Sequence, residues 1–171
     1  MIVTVVVNII RILVFILLQV TIIKQLDLGS YLNPFLYVIC ILARPINMNK
    51  GWVMFIAFVV GLIIDMFYNT MGMNAAASVF IAYCRPAVLR IYAPQGGYEP
   101  TANPTIQSLG LNWTISYYGT LALLHHLLLF FLEALTFSYF FETLAKAIVS
   151  SAATTVLILI SLLLMQKNPL K

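Results

Sequence analysis

Long apolar runs parted by short polar breaks occupy this chain of 171 residues from end to end. Hydrophobic types make up 63% of the residues and charged types only 8%. A soluble domain carries about 25% charged residues, so the pattern predicts a chain whose solvent is lipid. A helix crossing the hydrocarbon core needs about 20 residues, which leaves room for about six spans. Both faces of most segments are apolar. That argues against a strand barrel, whose strands alternate apolar and polar positions.

The expected fold is all-α: one multi-pass transmembrane domain over residues 1–171, a compact bundle of about six helices. Spans are expected at about 3–23, 31–43, 51–69, 73–92, 113–137 and 142–165. The first lacks a basic leader and a small-residue cleavage site, and Arg11 lies inside it, so it reads as a retained span. Lys24, Asp27, Gly29 and Ser30 close it. The second is short. Asn33-Pro34 opens a helix and Arg44-Pro45 stops it. About ten residues cover only ~15 Å. This segment must begin earlier, thin the bilayer or lie partly buried in protein. Loop 93–112 carries Pro94, Gly96, Gly97, Pro100 and Pro104 and should be irregular. The polar tail runs from Gln166 to Lys171.

Basic residues set the orientation. With an inside N-terminus and six spans, Arg44, Lys50, Arg85, Arg90, Lys167 and Lys171 fall inside, and Lys24 and Lys146 outside. Both termini and loop 93–112 are therefore expected in the cytoplasm. No Lys/Arg cluster could follow a phosphate backbone, so no nucleic-acid partner is expected. Cys40 and Cys84 lie in apolar segments without Cys or His at ligand spacing. They read as packed thiols, not as a zinc site or a disulfide.

Each ionisable group inside a span needs a physical reason. Asp65 shares a helix face with Gly61 and Asn69, just before the third-to-fourth turn. It could be a charged contact point or proton site at the outer surface. It could instead accept hydrogen bonds from the first free N–H groups of the fourth helix and lock the hairpin. Ala57 with Gly61, and Ser78 with Ala82, are small-xxx-small pairs that let the two helices approach closely. His125-His126 with Glu133 suggests a metal or proton relay, but His126 and Glu133 stand two turns apart, roughly 10 Å. Satisfied bundle histidines are the simpler reading. Arg85-Pro86 marks a kink, with the guanidinium snorkelling inward; Arg11 can do the same. No complete catalytic set, metal site or cofactor site is expected.

The stretch Asn33-Pro34, Leu42-Ala43-Arg44-Pro45, Gly61 to Asp65, Asn69-Thr70-Met71-Gly72-Met73-Asn74 with Ala75 and Ala76, then Ala82-Tyr83 resembles the MreD family of bacterial rod shape-determining membrane proteins. The shared pattern is a short Pro-led second helix, Gly-x-x-x-Asp ending the third, a Gly-containing turn and an Ala-rich fourth helix. It covers about a third of the chain. Asn69 stands where many members have a second Gly, and Gly72 comes one residue earlier; Asn tolerates the left-handed geometry such a turn needs. The Asn-Thr-Met-Gly-Met-Asn run is similar to the version in Bacteroides-like bacteria.

The resemblance implies a non-enzymatic scaffold of the cell-elongation machinery in the bacterial inner membrane. It implies direct association with an MreC-like protein, and through it with MreB, a RodA-type glycosyltransferase and a penicillin-binding transpeptidase. It also implies a fold similar to the substrate-binding subunits of energy-coupling-factor transporters. Gly61, Asp65, Asn69, Gly72, Asn74, Arg85, His126 and Glu133 are the structural or partner-contact candidates. The alternative is such a vitamin-binding subunit itself. Those subunits usually carry an Ala-xxx-Ala face on helix 1, and Val3 to Arg11 has none.

Overall fold

Helices form wherever the apolar runs are long enough, because a lipid-facing backbone must satisfy its own hydrogen bonds. The computed structural model describes residues 2–25, 29, 31–99, 102–135 and 138–165, with side chains from Val6 onward. Asp27, Ser30, Pro100, Lys167, Lys171 and the rest of the expected tail lie outside the described residues. All regular structure among the described residues is helical: α1 (Ile2–Thr21), α2 (Ile39–Leu42), α3 (Lys50–Tyr68), α4 (Met73–Ile91), α5 (Ile106–Leu109), α6 (Leu111–Ala134) and α7 (Phe140–Leu164). Short 3-10 turns at Ile23–Gln25 and Leu36–Val38 extend α1 and precede α2.

Four of these helices, those carrying Val6–Gln25, Lys50–Tyr68, Leu111–Ala134 and Phe140–Leu164, are long and apolar enough to cross a membrane, which fits a multi-pass membrane protein. α4 equals α3 in length but carries Asn74, Arg85 and Arg90, which lower its hydropathy. The second expected span, 31–43, is the main difference. Only Leu36–Leu42 is helical, in a 3-10 turn followed by one α turn, and Phe35 to Leu42 are buried in the bundle. Of the three options open to so short a segment, burial in protein is the one observed. Within loop 93–112, Thr105 caps the short α5, its hydroxyl oxygen accepting from Ser108 N.

The elements run back and forth. Lys24 Nζ, just past α1, donates to Phe67 O at the end of α3, so these two helices finish at the same end. The buried segment returns along α1: Leu36 N meets Gln19, Cys40 Sγ meets Ile12 O, and Arg44 shares a cavity with Asn8 and Arg11. α3 and α4 form an antiparallel hairpin. α6 starts beside the end of α4, where Trp113 Nε1 donates to Tyr92 O at 2.8 Å. α7 pairs with α6 and brings Met165 to the cavity lined by Asn8. The two described ends of the chain therefore lie at one end of the bundle.

Surface and interior are inverted relative to a protein in water. Large apolar side chains such as Leu17 (59% exposed), Phe55 (57%) and Met66 (78%) face outward. Gln19, Asn74, Ser78, Arg85, Thr114, both histidines, Ser150 and Thr154 face inward. That distribution suits an apolar solvent and internal polar pairing.

Candidate functional site

Gly61, Asp65, Asn69, Gly72 and Asn74 converge at the α3–α4 turn. α3 ends on Asn69, whose φ of 54° is left-handed. Gly72 follows at φ 84° and starts α4. Two left-handed residues so close reverse the chain within a few positions, and Asn and Gly are the types that tolerate this. The tight return presses α4 onto α3. A Cβ built on Gly61 would lie 2.5 Å from Ala75 Cα and 2.8 Å from Ala75 N, so only glycine fits.

Asp65 is buried beneath the turn. Its Oδ1 accepts from Asn74 N at 3.0 Å, from Asn74 Nδ2 at 3.1 Å and from the Thr70 hydroxyl. Its Oδ2 accepts from Ala75 N at 2.9 Å. Two of the free N–H groups opening α4 thus end on one carboxyl, as the structural reading of Asp65 expects.

The network continues inward. Tyr37 OH lies 3.2 Å from Asn74 Oδ1 and 2.8 Å from His125 Nε2. A phenol has one proton. Asn74 Oδ1, Ser78 Oγ at 3.2 Å and His125 Nε2 all lie within reach of that one proton, and the His125 tautomer decides which receives it. These contacts join His125, Tyr37, Ser78 and Asn74 to Asp65 in one buried polar network. His125 Nδ1 is buried and has no partner. His126 carries a proton on Nδ1. Its Nδ1 donates to Ala122 O at 2.7 Å, and its Nε2 accepts from Thr154 Oγ1 at 3.2 Å. Both rings are sealed from solvent and pack against Phe35. His126 is satisfied as a neutral imidazole; His125 is satisfied at one nitrogen only.

Glu133 does not join the histidines. It pairs with Lys146 of α7 at 3.6 Å, and both side chains are about a third exposed (32% and 29%). Among the described residues no group of three His, Cys, Asp or Glu could hold a metal ion.

Arg85 is far more buried than snorkelling predicts, at 2% exposed. Its Nε donates to Tyr117 OH at 2.8 Å, and its Nη2 donates to Arg44 O and, at 3.2 Å, to Pro45 O. Tyr117 in turn donates to Leu42 O at 3.1 Å. α4 runs on through Pro86 as one helix. Arg85 therefore holds the end of the buried segment, where the helix has stopped and carbonyls are free.

The other end of that segment is held in the same way. Leu36 N donates to Gln19 Oε1 at 2.7 Å, and Gln19 Nε2 donates to Pro34 O at 3.2 Å and Tyr68 OH at 2.7 Å. Phe35 N donates to Thr154 Oγ1, and Asn33 N to Ser150 Oγ, each at 3.0 Å. Sequence reasoning missed Tyr37, Gln19, Tyr117, Ser150 and Thr154. Gln19 carried a usable signal, an amide in a strongly apolar helix. Tyr37 carried none, because its partners come from residues far along the chain. In loop 93–112, Tyr98 donates to Leu89 O at 2.7 Å and accepts from Trp113 Nε1 at 3.2 Å. Partial burial holds the Tyr98 hydroxyl above its ordinary pKa.

Comparison of the chain with known protein families, with curated proteins and with solved structures finds no match.

Proposed function

We propose that this chain is a non-enzymatic, MreD-like scaffold subunit of the bacterial cell-elongation machinery. On this reading it lies in the inner membrane with six passes and both termini in the cytoplasm. It binds an MreC-like protein directly and belongs to one complex with MreB, a RodA-type glycosyltransferase and a penicillin-binding transpeptidase. The observation that carries it is the α3–α4 turn. There the residues of the resemblance, Gly61, Asp65, Asn69, Gly72 and Asn74, form one fixed unit. A scaffold needs a surface whose shape does not change, and this turn is pinned by a buried carboxyl and a backbone-to-backbone approach.

The buried segment supports six passes. It carries the chain from the Lys24 end of the bundle to the Arg11 end between α1 and α3. A furrow of about 440 Å³ between α6 and α7, lined by Gly119, Leu123, Ala152 and Val156 among others, suits a partner's single apolar helix. A vitamin-binding subunit fits less well. Such a ligand needs an enclosing pocket of about 300 Å³ or more; the more enclosed cavities, beside Pro34 and Arg44, measure about 50 and 40 Å³, and the hollows of about 370–440 Å³ lie open at the surface.

The test is co-purification of the tagged chain with an MreC-like protein expressed beside it. The pair should survive mild detergent and be lost when Gly119 and Ala152 are both replaced by Leu. Failure of the unaltered, folded chain to retain the partner would overturn the proposal.

A further inference from the structure

Among the described residues, no acidic side chain pairs with the basic groups at the Arg11 end of the bundle. Arg44 sits at the end of the buried segment, 8% exposed, and its Nε is sealed from solvent without a hydrogen-bond partner. Among the described residues, Cys40, Arg11, Arg85 and Tyr118 are the ionisable groups around it, and none is a carboxyl. Arg85 is occupied with the Tyr117 hydroxyl and the Arg44 and Pro45 carbonyls. The only ion pair among the described residues, Glu133 with Lys146, involves neither Arg11 nor Arg44. A buried guanidinium with one nitrogen unsatisfied and no carboxyl partner among the described residues is costly in a medium of low dielectric constant, and an anion relieves it.

The space for that anion is present. Arg44, Arg11 and Asn8 line a cavity of about 40 Å³, with Ile12, Phe15 and Met165 among its apolar walls. The cavity is larger than a single water requires, and it suits a small polyatomic group such as phosphate. The surroundings indicate where the phosphate comes from. Arg11 is exposed on α1, and Ile9, Ile10, Leu13 and Leu17 on the same helix are exposed too. A ligand with a phosphate in the cavity and hydrocarbon along α1 satisfies both features; free phosphate satisfies only the first.

We propose that Arg11, Arg44 and Asn8 form a binding site for the phosphate of one anionic phospholipid, between α1 and the buried segment. Arg44 supplies a fixed donor from inside, and Arg11 closes over the headgroup from the lipid side. The site is independent of the scaffold reading and requires only that the bundle sit in a membrane.

Native mass spectrometry of the full chain, released from micelles containing phosphatidylglycerol and phosphatidylcholine, tests it. The unaltered protein should retain one phosphatidylglycerol in preference to phosphatidylcholine. Arg11→Gln should lower that retention about fivefold, the factor for one basic residue near an anionic surface. Arg11→Gln with Arg44→Gln should abolish the preference. The exposed pair Lys50→Gln and Arg90→Gln should leave it unchanged. If Arg44→Gln fails to fold, Arg11→Gln alone decides, because its side chain supports no buried contact. Retention unchanged in Arg11→Gln, or lowered equally by Lys50→Gln and Arg90→Gln, overturns the site. Displacement of the lipid by millimolar inorganic phosphate overturns the phospholipid assignment.

Discussion

Replacing Asp65 by Ala should loosen the α3–α4 hairpin more than any other single change at the turn. The carboxyl receives two backbone N–H groups, from Asn74 and Ala75, as well as the Asn74 amide and the Thr70 hydroxyl. Thr70 lies at the open turn and can find water. The two backbone donors are buried under α3 and cannot. An unsatisfied buried donor costs about 1–3 kcal/mol, so taking about 2 for each gives a loss of about 4 kcal/mol, roughly a thousandfold in the unfolding equilibrium. Asp65→Asn keeps one acceptor oxygen but turns an NH2 group toward a donor, and should lose about half as much. Mixed-micelle unfolding with an anionic detergent, followed by far-ultraviolet circular dichroism, reads these values. An Asp65→Ala protein within about 1 kcal/mol of the unaltered one would refute the account, since that is below one unsatisfied donor. If that protein also lost an MreC-like partner, Asp65 would be a contact residue and not a lock.

Other changes separate close packing from open space. Gly61→Ala meets the Ala75 backbone and should destabilise by about 2 kcal/mol, as overpacking does, while Gly119→Ala, with Thr155 as its nearest neighbour at 3.9 Å, should be close to neutral; the same unfolding assay compares them. Tyr37→Phe removes the bridge between His125 and Asn74 and should cost about 1–3 kcal/mol for the buried polar groups it leaves unpaired; equal stability of the two proteins would show that the bridge does not hold the fold. On the six-pass reading, a cysteine at Met71, which is 97% exposed, should react with an impermeant thiol reagent in intact cells, and one at Glu99 only after lysis. The reverse pattern would invert the orientation.

The parts legible in the sequence are those set by local rules. Apolar run length placed α1, α3, α4, α6 and α7 to within a few residues, because in lipid the helix is the only backbone state a single run can adopt. The hairpin was legible for the same reason: Gly61, Asp65, Asn69 and Gly72 act on residues close to them in sequence. Partners that come from across the bundle were not legible. Nothing around Tyr37 indicates His125, and nothing around Asn33 indicates Ser150. Arg85 was misread because snorkelling is the usual fate of a lone arginine near a helix end. Its acceptors are two carbonyls ending the buried segment and the Tyr117 hydroxyl of α6, all far away in sequence, and local rules do not see them.

The buried segment accounts for the polar residues that a lipid-borne bundle would otherwise avoid. A helix of so few residues leaves its flanking N–H and C=O groups free at membrane depth, where each would cost several kcal/mol. Gln19, Thr154 and Ser150 meet these groups at one end, and Tyr117 and Arg85 at the other. One helix break thus explains polar side chains on α1, α4, α6 and α7 together, without assigning any of them to catalysis. The account makes a local prediction. Gln19→Leu removes the acceptor of Leu36 N while leaving α3, α4, α6 and α7 intact. Hydrogen exchange of the Leu36 amide should quicken about 30-fold, equivalent to about 2 kcal/mol for one exposed donor, with exchange in α6 unchanged. Exchange at Leu36 that did not change would mean that water or the segment itself satisfies this amide, and the polar interior would need another cause.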